Sequence, residues 1–122
     1  MANTFLQGFH FLDPKGTDRR AVAAVELIDD ITARVALAVC HPTDTYIKKR
    51  GRIIAVGRLE HEDFPIHPYC FNLIRNQDGT RAMRQSGQAE ITLGEGLKLA
   101  EAIRMAANLC ALKAYRPEVE IS

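Results

Sequence analysis

The densest run of chemically capable side chains is Lys48-Lys49-Arg50-Gly51-Arg52-Ile53-Ile54-Ala55-Val56-Gly57-Arg58-Leu59, which holds five cations and no acid. Acids follow at once in Glu60, Glu62 and Asp63. Cations at this density suit phosphate oxygens, and Arg suits them best because its planar fork meets two oxygens together. The run reads as a helix from about Thr45 to Leu59, with Thr43 or Asp44 as its cap. At ~100° per residue, Tyr46, Ile47, Ile53, Ile54 and Gly57 gather on one arc. Arg50 falls inside that arc and Arg58 near its edge, while Lys48, Lys49 and Arg52 point the other way. In the plain reading the outer three form a solvated face and Arg50 snorkels past its apolar neighbours. In the functional reading Arg50 or Arg58 stands in a cleft and binds phosphate. Gly51 and Gly57 each cost a helix about 1 kcal/mol against Ala, so close packing or a close ligand should compensate. No Gly-Lys-Ser/Thr follows a Gly-x4 spacer, so this is not a P-loop.

Aromatic rings matter beside such cations because nucleobases stack on them. Phe64, Tyr69 and Phe71 follow the basic helix within a few residues and would line a base-binding cleft beside Arg58. The competing reading makes them core, with most force for Phe71.

Other chemistry finds little support. His61, His67 and Cys70, with Cys40-His41, are residue types that zinc accepts, but His-x5-His-x2-Cys matches no strong zinc signature, so no metal is expected. Cys40, Cys70 and Cys110 sit in apolar contexts that favour inert thiols. There is no Gly-x-Ser-x-Gly elbow and no His-Glu-x-x-His. Asp29-Asp30 reads as turn chemistry and Glu62-Asp63 as a loop. No catalytic residue is nominated, an enzyme is disfavoured, and no cofactor is indicated.

The elements that must position the basic run are as follows. Phe5 to Leu12 alternates as a strand, and Asp13-Pro14-Lys15-Gly16 turns the chain. Val22–Ile28 and Thr32–Cys40 flank Asp29-Asp30 as a hairpin. Ala33, Val35, Leu37 and Val39 give that hairpin one core face. A helix is the rival reading of the Ala-rich first arm. Tyr69–Arg75 is a strand, Asn76-Gln77-Asp78-Gly79 a turn, and Thr80–Gln85 a returning strand. Thr92-Leu93-Gly94-Glu95 matches a capping box, from which a helix over 93–115 runs towards Pro117. Its apolar face, with Leu93, Leu97, Ala100, Ile103, Ala107 and Cys110, is wide; its polar stripe, Lys98, Glu101, Arg104 and Asn108, is narrow. Such a helix needs cover on two sides. A sheet supplies one, and a second subunit would supply the other. The expectation is therefore an α+β fold: an antiparallel sheet, a middle helix, a long C-terminal helix, and a homo-oligomer through 93–115.

Composition agrees with one domain over 1–122. The 122 residues are 47% hydrophobic and 25% charged, which is ordinary for a globular protein. The net charge is +1, far from the basic excess of a dedicated duplex binder. No run reaches the ~20 apolar residues of a membrane span, and no signal peptide is visible. The three cysteines suggest no disulfide framework, which fits the reducing cytoplasm.

One motif carries a resemblance. Cys40-His41-Pro42-Thr43-Asp44-Thr45-Tyr46-Ile47-Lys48-Lys49, then Gly51-Arg52, then Ala55-Val56-Gly57-Arg58-Leu59, resembles a pattern in small phage-encoded anti-defence proteins. In that pattern a strand ends in a Pro-x-Asp turn, and a helix with aromatic, Lys-Lys, Gly-Arg and Gly-Arg-Leu elements follows. The family is the phage anti-Thoeris sponge, which sequesters cyclic ADP-ribose-type immune signals. The resemblance implies a non-enzymatic oligomer with its ligand between protomers, held by arginines on phosphate and aromatics on the base. Arg58 is the residue the motif carries over. Arg104 joins it on separate grounds, as a cation on the polar stripe of the last helix.

Two other classes compete. A nucleic-acid or nucleoprotein binder, such as an inhibitor of a CRISPR complex, would set Lys48, Lys49 and Arg52 on phosphates. A structural oligomer would use the wide apolar helix alone.

Overall fold

Alternating side chains along Asn3–Leu12 (β1), Asp18–Leu27 (β2) and Thr32–Val39 (β3) build an antiparallel meander. The computed structural model describes residues 3–13, 15–29, 31–41, 45–64, 69–85, 90–93 and 98–114. Aspartates make both turns of the meander. Asp13 Oδ1 accepts the N–H groups of Lys15 and Thr17 at 2.9 and 3.0 Å. Asp29 Oδ1 accepts the Ile31 N–H at 2.8 Å. Asp13 is buried, and its Oδ2 lies 3.6 Å from Nη1 of the equally buried Arg19.

After β3 the chain leaves the sheet as Lys48–Glu60 (α1). It returns as Cys70–Arg75 (β4), antiparallel to β3. Arg81–Gln85 (β5), Glu90–Leu93 (β6) and Leu99–Ala114 (α2) follow. Strand order in the sheet equals chain order, β1-β2-β3-β4-β5-β6. The protein is α+β, with an antiparallel sheet and two helices.

The β2–β3 hairpin has two core faces rather than the single one its pattern suggests. Ala21, Ala23, Val25, Val35 and Leu37 meet Ala102, Ile103 and Ala106 of α2. Val22, Ala24, Ala36 and Ala38 meet Ala55 and Leu59 of α1. The alanines that leave the second face weakly hydrophobic are what allow a helix to lie close against it.

Helix α1 turns a different side to the sheet from the one its isoleucines predict. Ile47, Ile53 and Ile54 are exposed. Contact is made instead along Gly51, Ala55 and Leu59, four residues apart. Small residues win here because they let the helix approach Val22 and Ala36 closely. The helix opens at Lys48, with Ile47 as an extended cap residue that makes no side-chain cap bond. Thr43 and Asp44 lie outside the described residues.

The last helix is shorter than the predicted span of 93–115. Thr92 and Leu93 belong to β6, opposite Ala82 and Arg81. Ladder bonds to β5 satisfy the backbone there better than an isolated first turn would. Helix α2 spans 16 residues, with the Lys98 carbonyl accepting the Ala102 N–H at 3.0 Å. The sheet covers its inner face, and Glu101, Arg104 and Met105 face outward.

Candidate functional site

A mismatch in strand length creates the site. Strand β4 begins at Cys70, opposite Ala36, whereas β3 continues to Val39. The Leu37 N–H still reaches the Tyr69 carbonyl at 2.8 Å. Beyond that bond, residues 38 to 41 form one wall of a cavity of about 350 Å³. The other wall is the N-terminal half of α1 and its approach: Tyr46, Ile47, Arg50, Ile54 and, deeper, Arg58. The volume lies in the range of small-molecule pockets, roughly 300–1,000 Å³.

The two arginines differ in kind. Arg58 is half-buried and fixed: its Nη1–H donates to the Leu37 carbonyl, and its guanidinium carbon lies 4.7 Å from the Tyr69 ring centroid. Burial lowers its pKa from the ordinary guanidinium value, partly opposed by Tyr69, Cys70 and Cys110. Arg50 is exposed at the cavity wall, and no ion pair among the described residues involves it. The first turn of α1 holds three cations and no acid. That end of a helix already carries partial positive charge, so the cavity mouth is electropositive.

Tyr46 supplies the ring. It is half-buried at the cavity, with the Arg20 guanidinium 5.6 Å from its centroid. The aromatics proposed from sequence serve other partners. Phe64 stacks on Arg34 at 4.1 Å. Arg34 in turn donates to the Leu59 carbonyl at 3.3 Å and to Glu26 at 3.4 Å. Tyr69 lies under Arg58, and burial raises its phenol pKa. Phe71 is wholly buried on the α2 side of the sheet, so it is core and reaches no cleft. Arg104 is exposed on α2, across the sheet from the cavity, and does not join Arg50 and Arg58. Lys48, Lys49 and Arg52 are exposed on α1, and the Lys48 stem lies over β1, its Cε 3.7 Å from where a Cβ on Gly8 would stand.

The structure thus brings Arg50 and Arg58 together and adds Tyr46, His41 and Ile54, which sequence reasoning had not nominated. Tyr46 and His41 line the cavity from the two described ends of the link between β3 and α1, beyond the point where β4 pairs with β3. Cys40 also lines the cavity, while Cys70 and Cys110 are buried. Among the described residues no three His, Cys, Asp or Glu side chains gather to hold a metal; His67 lies outside them. No helix of the described residues is long and apolar enough to cross a membrane. Comparison with protein-family models, curated proteins and solved structures finds no match to this chain.

Proposed function

We propose that the chain binds and sequesters a small nucleotide-type anion in the cavity between α1 and the end of β3, without turning it over. One observation carries the reading: two arginines and a tyrosine ring line a single cavity of about 350 Å³. Arg58 is the fixed charge, held by Leu37 and partly desolvated, which strengthens its pull on an anion. Arg50 is the mobile charge that closes on phosphate. Tyr46 offers the stacking surface. The sponge resemblance makes cyclic ADP-ribose-type signals the first ligands to try, in a phage protein acting against host defence.

A thermal-shift and calorimetric screen tests this, using cyclic ADP-ribose isomers, NAD fragments and cyclic oligonucleotides. A ligand at 100 times its Kd adds about 2.7 kcal/mol, a visible rise in midpoint. The shift should vanish in Arg50→Ala. A flat response to every compound would sink the reading.

A second reading rests on the exposure of Lys48, Lys49 and Arg52 along one helix. It makes α1 a phosphate-contacting surface for nucleic acid. Binding of a short RNA that falls steeply with salt would favour it. A buried small-molecule contact is screened less.

A further inference from the structure

We propose that β1 is the seam of a homodimer, in which two copies join edge to edge into one continuous antiparallel sheet. Strand β1 is the outermost strand on its side and ten residues long. Its hydrogen-bonding phase follows from the turns. The Asp13 N–H donates to the Thr17 carbonyl at 3.0 Å, and the Cys40 N–H to the Arg20 carbonyl at 2.8 Å. Antiparallel pairs alternate between bonded and non-bonded. Applied through the register, both bonds give the same answer: odd-numbered residues of β1 exchange bonds with β2. Thr4, Leu6, Gly8, His10 and Leu12 therefore point their N–H and C=O groups outward.

Exposed edges are normally guarded by charge, proline or shortness. Asn3–Leu12 contains no Lys, Arg, Asp, Glu or Pro. Phe5, Leu6 and Leu12 on it are 38%, 41% and 66% exposed. The opposite edge, β6, is only four residues long.

The strand is complementary to itself. A two-fold axis at Gly8 sets Leu6 against His10 and Thr4 against Leu12, so every outward-pointing residue finds a bonding partner. The same register sets Phe5 against Phe11, preserving the side-chain faces. His10, the one titratable group on the strand, meets Leu6 and not a second His10. At the axis one face of β1 is already covered, since Lys48 Cε and Tyr46 Oη stand 3.7 Å from where a Cβ on Gly8 would be, an ordinary contact distance. Lys48 is exposed and can turn its ammonium away from the axis.

The test is the mass of the full chain by sedimentation, together with amide exchange at Leu6, Gly8 and His10. The wild type should sediment at twice 13.6 kDa, with those three amides protected. Leu6→Pro removes an outward N–H and no bond to β2, so it should halve the mass and leave the helical and sheet content in place. Leu6→Lys should do the same, because it puts on the edge the kind of charge that guards natural edge strands against pairing, and decides the matter if Leu6→Pro does not fold. A monomeric wild type at high micromolar concentration overturns the proposal. So does a dimer whose three amides exchange rapidly, which would put the seam on α2 or elsewhere.

Discussion

Gly51 rests on Val22 so closely that a Cβ at position 51 would stand 2.9 Å from the valine Cγ2. Gly57, six residues on, has open space at the same point. The two glycines of one helix should therefore respond oppositely to alanine. Gly51→Ala gains about 1 kcal/mol of helix propensity but meets about 1–3 kcal/mol of overpacking against a wholly buried side chain, and should destabilise. Val22→Ala in the same chain should relieve the clash. Gly57→Ala should stabilise by about 1 kcal/mol. Urea midpoints of the three variants and the wild type check all of this.

Arg58 and Arg50 separate stability from binding. Arg58→Ala leaves the Leu37 carbonyl without its side-chain donor and bares the Tyr69 ring. A loss of about 1–3 kcal/mol is expected for that carbonyl. Arg50→Ala touches only an exposed side chain and should stay within about 0.5 kcal/mol of wild type. Denaturation of each variant, with and without ligand, separates the effects. Arg50→Ala should unfold normally and fail to respond to ligand.

The cysteines give a reporter of occupancy. Burial pushes the Cys70 thiol above its usual range, and Cys110 has no exposed surface. Cys40 is half-exposed and lines the cavity. A thiol reagent at neutral pH should label Cys40 first, and a bound ligand should slow that labelling. Intact-mass spectrometry over a time course reads both effects. Equal labelling of all three in the folded protein would contradict the packing described.

The β4–β5 turn carries a local pH dependence. Asp78 Oδ1 accepts the Thr80 hydroxyl at 2.6 Å and the Thr80 N–H at 2.9 Å. These bonds hold the Asp78 carboxyl below its ordinary value of 3.8. A depressed folded pKa stabilises above the unfolded value, and that contribution is lost as pH falls through the folded one. Carboxyl titration by NMR should show Asp78 releasing its proton below an ordinary aspartate. Thr80→Val should return it part of the way, because it removes the hydroxyl bond to Asp78, together with the Asn76 Nδ2 bond to the same hydroxyl at 3.1 Å, and keeps the Thr80 N–H bond.

Most of the sheet was legible in the sequence, because period-two patterns and Asp/Gly turns are local signals. β1, β3, β4 and β5 follow from them, whereas the Ala-rich arm that becomes β2 is open to a helical reading and begins at Asp18, four residues before the expected Val22. Thr92 misled because Thr at a helix cap and Thr in a strand look alike; its pairing with Ala82 is a long-range fact. The packed side of α1 was hidden because isoleucines outweigh Gly51 and Ala55 in any hydrophobic reading, whereas fit against Val22 decides. At the site, Arg50 and Arg58 could be read from chemistry and helical spacing. Tyr46 and His41 could not, since their role depends on where β4 begins. Phe71 was misread because its neighbours in sequence are aromatic and polar, while its contacts are Val35 and α2.

Because sheet order repeats chain order, the molecule has an assembly schedule as it leaves the ribosome. Every residue lining the cavity falls between positions 38 and 58, so that side can close long before synthesis ends. The opposite side waits. Val25, Val35, Leu37 and Phe71 lack their cover until 99–114 emerges. For that interval the nascent chain presents a broad oily surface, and a stall or truncation upstream of α2 would leave a chaperone substrate with its pocket already shaped.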